Sequence, residues 1–382
     1  MENTMSNINF IASSTFGLEA VLKREAIALG FKNIKTYDGR VEFTGDEVTI
    51  AKANLWLRCA GRVWIKMGSF TAVTFDELFE QTKALPWAEW IPEDGKFTVI
   101  GKSVKSTLFS VPDCQAIVKK AIVEKLKQTY HTDWFDETGA SYTIQVGILK
   151  DVVTLAIDTS GSGLHKRGYR ENAMVAPLKE TLASAMVQLS FWKKDRILLD
   201  PFCGSGTIPI EAAMLARNIA PGLNRKFASE EWERIGKKIW KEARIEAYQA
   251  IQYDVMPEIY GSDIDENAIA LAKENAIKAG VDDCIQFETK SCFDIKLPGK
   301  YGVLIANPPY GERIGELKEV EQMYRALGEL MKDNKTWSSY FITSMEYFES
   351  LFGRKADKKR KLFNGRIKTD YYQFEGPRPP KK

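Results

Sequence analysis

The stretch Arg196-Ile197-Leu198-Leu199-Asp200-Pro201-Phe202-Cys203-Gly204-Ser205-Gly206-Thr207 decides the fold of this chain. Its apolar run ending in an acid reads as a buried strand. Gly204 and Gly206 then permit a tight turn and close approach of backbone to a ligand. From Thr207 onward the pattern is helical, and Pro209 is tolerated in a first helical turn. Strand, glycine turn and helix in this order belong to a doubly wound parallel sheet, where ligands bind beyond the carboxyl ends of the strands. The segment reads as a pocket for a nucleoside cofactor, with Phe202, Gly204, Gly206 and Thr207 around it. Asp200 is placed to accept from an ammonium group, and the helix N-terminus favours a carboxylate.

Two further strands extend the pocket. Glu258-Ile259-Tyr260-Gly261-Ser262-Asp263-Ile264-Asp265 puts Asp263 at a strand end, where it can accept from two ribose hydroxyls, with Ile264 beside it. Residues 285–289 lead into Cys292-Phe293-Asp294, where Asp294 can accept from an adenine amino group and Phe293 can pack on the ring. A nicotinamide or flavin site fits poorly. The third glycine of G-x-G-x-x-G is missing, and Asp200 and Asp263 are much further apart than the ~20 residues of a dinucleotide-binding unit.

The strand Tyr301-Gly302-Val303-Leu304-Ile305-Ala306 ends at Asn307-Pro308-Pro309-Tyr310. An exocyclic base amine is a poor nucleophile because its lone pair is delocalised into the ring. An acceptor on each amine hydrogen favours a geometry closer to sp3 and frees that lone pair. Asn307 Oδ1 and the Pro308 carbonyl can be those acceptors, Pro308 and Pro309 stiffen the loop, and Tyr310 offers a face for an extruded base. Asn307 also borders the cofactor pocket. Orientation and charge placement carry such chemistry, and no strong base is needed before attack. The expected reaction is methyl transfer from S-adenosyl-L-methionine, leaving S-adenosyl-L-homocysteine. Without the preceding acid-ended strands, the same four residues would be only a stiff strand-to-loop turn.

The whole chain sets wider bounds. Its 382 residues predict two or three domains, and a hydrophobic fraction of 44% supports a sizeable core. Lys and Arg total 54 against 51 Asp and Glu, so any basic surface must be local. Five scattered cysteines without a CxxC pair, and only two histidines, argue against a metal site or disulfide framework. Free thiols suit a reducing cytoplasm. No signal peptide or membrane-spanning run is expected. Cys203 has no histidine near it in sequence, so a catalytic thiol of the 5-methylcytosine type is unsupported. His165 reads as a packing residue, and Trp56, Met186 and Met214 read as core.

Upstream, residues 7–65 alternate short strands and helices: strands at 9–12, 33–36 and 40–43, and helices at 18–29 and 46–58. Residues 63–160 repeat that α+β style, with a helix capped by Asp113 and running through Leu126, and a hairpin turning at Lys150-Asp151. Gly161-Ser162-Gly163 marks a boundary. A basic connector follows, Leu164-His165-Lys166-Arg167-Gly168-Tyr169-Arg170.

The chain resembles the THUMP-containing class I RNA methyltransferases, of the bacterial type similar to 23S rRNA guanine-N2 methyltransferases. The resemblance covers nearly its whole length. Its marks are the basic connector, the glycine turn, Asn218-Ile219-Ala220-Pro221-Gly222, the Asp263 segment, Asn307-Pro308-Pro309-Tyr310-Gly311-Glu312-Arg313 and Lys361-Leu362-Phe363-Asn364-Gly365. It implies an α/β fold: a ferredoxin-like domain at 1–64, a THUMP domain at 65–160, and a linker with a Rossmann-like methyltransferase domain at 161–382. It implies S-adenosylmethionine, an RNA substrate such as 23S rRNA or a large-subunit precursor, and a C-terminal hairpin turning at Asn364-Gly365. Some relatives carry a second fused methyltransferase; this chain has no second set of motifs, so one methylation is expected.

Lys102, Lys105, Lys119, Lys120, Lys166, Arg167 and Arg170 are candidates for an RNA phosphate track, although charges on helix faces are usually only solvated. Residues 354–361 read as a solvated basic loop. The clamp serves guanine N2 and adenine N6 alike, so an N6-adenine enzyme on RNA or DNA, a tRNA guanine-N2 enzyme and a noncatalytic assembly factor remain open.

Overall fold

A computed structural model describes residues 7–170, 178–311 and 317–380. The Glu312-Arg313 pair that ends one of the family marks lies outside them.

The N-terminal part runs β1 (Ile8–Ser13), α1 (Glu19–Ala28), β2 (Lys32–Tyr37), β3 (Arg40–Gly45), α2 (Glu47–Trp56), β4 (Val63–Thr71), α3 (Phe75–Lys83), β5 (Lys96–Val104), α4 (Val111–Tyr130), β6 (Ser141–Leu149) and β7 (Val152–Asp158). Local chemistry explains the borders. Asp46 with Thr49, and Thr74 with Glu77, form reciprocal capping boxes that start α2 and α3. Lys150 and Asp151 both take positive φ, 52° and 63°, as the tightest β-hairpin turn requires.

The helix expected to be capped by Asp113 starts earlier and runs longer. Ser110 is its N-cap, Pro112 sits in its first turn, and Asp113 receives the Ser110 hydroxyl at 2.5 Å instead of a backbone N–H. All seven strands form one sheet, in the order β2-β3-β1-β4-β7-β6-β5. The boundary drawn at 64/65 falls inside β4, which pairs with β1 on one side and β7 on the other. The two α+β units therefore share a continuous sheet.

The C-terminal part runs α5 (Glu180–Leu189), β8 (Leu198–Asp200), α6 (Thr207–Ala216), α7 (Gly236–Gln249), β9 (Ile259–Asp263), α8 (Glu266–Ala279), β10 (Ile285–Thr289), β11 (Val303–Ala306), α9 (Leu317–Asp333), β12 (Ser338–Thr343), α10 (Phe348–Phe352), β13 (Lys358–Asn364) and β14 (Ile367–Phe374). The order is β10-β9-β8-β11-β12-β14-β13. β8 to β12 are parallel, and the hairpin β13–β14 adds on antiparallel. Strand order reverses between β8 and β11, the crevice where such sheets bind ligands.

Half of the expected basic loop is therefore an edge strand: from Lys358 it pairs with β14, because Leu362 is buried beneath it. The hairpin turns one residue later than expected, at Gly365-Arg366, since Asn364 still pairs with Ile367.

The largest hydrophobic core runs from Ile8 through Trp232 to Tyr371 without a gap between the two sheets. The segment between α6 and β9 helps to bridge them. Trp232 stacks on Tyr142 at 4.7 Å, and Arg234 lies 4.1 Å over Trp90 while pairing with Glu47. Met186 and Met214 are core residues, as expected, and Trp56 is half-buried.

Candidate active site

The carboxyl ends of β8, β9 and β11, together with the segment after β10, open into one cavity of about 730 Å³. Phe202, Gly204, Asp263, Ile264, Phe293 and the whole run from Asn307 to Tyr310 line it. The sheet order thus brings together residues separated by a hundred positions.

Gly204 takes φ +50°, with open space where a side chain would be, so its backbone faces the cavity. Asp263 Oδ2 accepts from the Gly204 N–H at 2.9 Å, tying the end of β9 to the turn after β8. Its Oδ1 accepts from Asp265 N at 3.1 Å.

Asp200 sits behind this wall. It is 1% exposed, and Phe202 N donates to it at 3.1 Å. Burial, with the nearby Asp263 charge, pushes its carboxyl well above the usual range. A buried acid with a single backbone donor suits a cationic partner.

Three more expected cofactor contacts stand apart from the cavity wall. Gly206 takes φ +82°, but a side chain there would meet Phe287 at 3.0 Å and Ala272 at 3.1 Å, so this glycine serves packing against β10 and α8. The Thr207 side chain is buried and receives a hydrogen bond from Arg170. Asp294 is exposed beside the lining residue Phe293.

At the clamp, the Tyr310 hydroxyl donates to Asn307 Oδ1 at 2.7 Å and accepts from Asn364 Nδ2 at 3.1 Å. The acceptor expected to meet the target amine is thus held by a tyrosine, which is held in turn by the C-terminal hairpin. Behind the loop, buried Tyr324 donates to the Pro309 carbonyl at 2.7 Å and contacts the Thr343 hydroxyl at 2.9 Å. Asn364, Tyr324 and two further lining residues, Lys179 and Arg366, were not found from the sequence. Asn364 lay in a recognised family mark but carried no chemical motif of its own.

The candidates for a phosphate track divide. Lys102, Lys105, Lys119, Lys120 and Lys166 are exposed. Arg167 is not available to phosphate. It is 3% exposed, pairs with the fully buried Glu211 of α6 at 3.2 Å, and donates to the carbonyls of Leu164 and Arg58. Arg170 is also committed, to Thr207, Glu180 and the Leu178 carbonyl. A cation buried this deeply needs a buried partner, so these two arginines fasten the connector to the cofactor helix.

The Asn218–Gly222 mark has a related role. Arg58 donates to the Ile219 carbonyl at 2.7 Å and Gly222 N to the Leu55 carbonyl at 3.0 Å, docking the N-terminal sheet's helix α2. His165 is half-buried, and burial with neighbouring Lys179, Lys166, Arg167 and Arg225 pushes its pKa down to about 4. Burial, with Asp200 and Asp263 nearby, holds the Cys203 thiol far above its ordinary value, which is wrong for a nucleophile.

Among the described residues, no group of His, Cys, Asp or Glu is placed to hold a metal, and no helix is long and apolar enough to cross a membrane.

Comparison with known proteins agrees with this site. Residues 9–64 match the RlmL ferredoxin-like domain, residues 72–158 the THUMP domain, and residues 167–373 the RMKL-like methyltransferase domain. The chain is 55% identical over 372 residues to the Bacillus subtilis protein named "Putative RNA methyltransferase YpsC", covering 97% of this chain and 96% of that one. It is 35% identical over 380 residues to the ribosomal RNA large subunit methyltransferase K/L of a Shewanella species, covering 95% of this chain but 52% of the relative, so it spans about half of that enzyme. The solved structure of SMU.472 in complex with S-adenosylhomocysteine superposes with a TM-score of 0.93 at 44% identity, over 98% of this chain and 99% of that one. S-adenosylmethionine is the cofactor, and the open Gly204 backbone, Asp263 and the buried Asp200 form a donor and acceptor set suited to it.

Proposed function

The chain belongs to the family of THUMP-containing, RMKL-like RNA methyltransferases, and we propose that its target is the exocyclic N2 amine of a guanine in 23S rRNA. One observation carries the reading: the Asn307-to-Tyr310 loop opens into the same cavity as Gly204, Asp263 and Phe293. A methyl acceptor and a nucleoside cofactor would therefore meet there. The K/L relatives are named for large-subunit ribosomal RNA, which supports that substrate, free or in a precursor particle, and a cytoplasmic reaction.

When bound, the cofactor supplies a methyl group already activated on a sulfonium. Asp263 would hold its ribose, with Phe202, Ile264 and Phe293 packed around it; Asp200, behind the wall, would supply negative charge toward its ammonium group, and Asp294, beside Phe293, would accept from the adenine edge. Asn307 Oδ1 and the Pro308 carbonyl accept the two amine hydrogens, turning the lone pair toward the methyl group. Asn307 Oδ1 accepts from the Tyr310 hydroxyl, which fixes its direction, and its second lone pair can accept an amine hydrogen. The Tyr310 ring then stacks on the extruded base. Methylation makes the amine far more acidic, and its proton passes to solvent.

The test is methyl transfer from labelled S-adenosylmethionine to naked 23S rRNA, tRNA and DNA from a strain lacking this protein, with products digested to nucleosides and identified by mass. N2-methylguanosine from 23S rRNA is expected. N6-methyladenosine would keep the clamp and overturn the target. N2-methylguanosine from tRNA alone would overturn the 23S assignment.

A further inference from the structure

The C-terminal hairpin carries cations of two kinds. At its base they are neutralised: Lys358 pairs with Glu375 at 3.0 Å, Lys359 with Asp370 at 3.6 Å, and Arg354 with Asp357 at 2.8 Å. At its tip Lys361, Arg366 and Lys368 are exposed and, among the described residues, enter no ion pair. Lysines on an edge strand are ordinarily explained as protection against edge-to-edge pairing. That explanation covers the whole strand equally, whereas Arg366 and Lys368, on either side of Ile367 at the turn, have no acid partner among the described residues. The tip is also the end nearest the chemistry, since Asn364, Gly365, Arg366 and Ile367 line the cavity.

An aromatic from the other sheet joins this tip. Phe16, in the loop between β1 and α1, is 55% exposed and meets Phe363 edge-on, with ring centroids 6.3 Å apart. Its loop is held firmly. Gly17 takes φ +88° and lies so close to β13 that a side chain there would sit 2.6 Å from the Lys361 carbonyl. Arg360 donates to the Gly17 carbonyl at 2.9 Å, and the Glu19 carboxylate accepts from both Gly17 N and Gly39 N. An exposed phenyl ring on a stapled loop is already ordered, so it can bind without further loss of loop entropy.

We propose that Phe16, with Arg366 and Lys368 at the hairpin tip, seats the RNA nucleotides that flank the target base. The Phe16 ring stacks on a neighbouring base, and the two cations take its phosphates. This rests on the RNA methyltransferase reading and adds a contact surface outside the cavity. A base extruded into the cavity drags its neighbours across the rim. Phe363 is one residue along β13 from Asn364, and Arg366 forms part of the rim itself.

The test is retention of labelled naked 23S rRNA by the full-length protein across a range of salt concentrations, with cofactor binding followed by calorimetry. Phe16→Ala is expected to weaken RNA binding roughly 5- to 100-fold without changing the salt slope, because stacking is uncharged. Arg366→Ala and Lys368→Ala should each lower the slope of log K against log salt by about one phosphate contact. Lys358→Ala, which removes a neutralised cation, should leave the slope unchanged. Cofactor affinity should be the same in Phe16→Ala, Lys368→Ala and Lys358→Ala. Wild-type binding with Phe16→Ala indistinguishable from it would overturn the stacking seat. A slope change in Lys358→Ala equal to that in Arg366→Ala would reduce the tip to general electrostatics and overturn the phosphate contacts. A wild-type protein that binds cofactor but retains no RNA would refute the substrate reading, and this proposal with it.

Discussion

Replacing Asp200 with asparagine is expected to move stability and function in opposite directions. The carboxyl is 1% exposed and accepts a hydrogen bond from Phe202 N. Burial, then the nearby Asp263 charge, raises its pKa, and the Phe202 N–H only partly opposes them. A carboxyl whose folded pKa lies above its unfolded value adds stability below the unfolded pKa. It loses that contribution as pH rises through the folded pKa. At neutral pH the ionised form of this buried carboxyl therefore weighs against the fold. Asp200→Asn keeps the shape and removes the charge, a relief on the order of 1 kcal/mol. For a domain of this size that raises Tm by about 2–4 °C. The gain should shrink as pH falls toward the ordinary carboxylate range. Cofactor binding should suffer, because losing a hydrogen bond to a charged group costs about 1.5–3 kcal/mol, or roughly 10- to 150-fold in Kd. Thermal unfolding between pH 4 and 8, with calorimetric titration of S-adenosylmethionine, reads both effects. A lower Tm at pH 7 would show that the carboxylate is already paid for inside the fold. Unchanged affinity would remove Asp200 from the cofactor site.

Arg167→Ala should destabilise the fold by about 3–5 kcal/mol, since it leaves Glu211 buried without its partner; an unchanged urea midpoint with reduced RNA affinity would restore Arg167 as a phosphate contact. Asn364→Ala removes one neutral hydrogen bond to Tyr310, worth about 0.5–1.5 kcal/mol, and should lower kcat several-fold while cofactor affinity holds. The same change made in Tyr310→Phe should add almost nothing, and an equal loss in both backgrounds would mean that Asn364 does not act through Tyr310. His165 has a folded pKa near 4 against an ordinary 6.5, so the unfolded chain binds a proton the folded one refuses and stability falls as pH drops through that window. His165→Phe should flatten the urea midpoint between pH 7 and 5, and an unaltered acid response would show that other groups govern it.

The sequence was most readable where chemistry and periodicity coincide. Acid-ended strands, the glycine turn and the Asn307 loop each carry their meaning within a few residues, and the sheet order needed only the rule that ligands gather at the strand ends. Burial of charge was far less readable. Arg167 and Lys166 are neighbours in a basic run, yet one is buried against Glu211 and the other exposed. The partner lies 44 positions away on α6, and nothing local announces it. The same blindness hid Asn364, which meets Tyr310 only because the hairpin folds over that loop. The shared N-terminal sheet was hidden because β4 reads equally well as the end of one unit or the start of the next.

Methylating an amine inside a folded RNA requires three positions to be fixed together: the activated methyl, the amine and the body of the RNA. On the proposed reading the turn after β8 serves the first, the loop after β11 the second and the N-terminal sheet the third. These parts are packed against one another, not strung on a flexible tether. Arg167 joins the connector to α6, Arg58 and Gly222 join α2 to the segment after α6, and Trp232 stacks against β6. Moving the sheet relative to Asn307 would expose buried charge at the first joint and aromatic surface at the last. The distance from RNA seat to clamp is thus set by the core. On the proposed reading such an enzyme selects a base by where the RNA's shape presents it, and the clamp itself need recognise little beyond a planar amine.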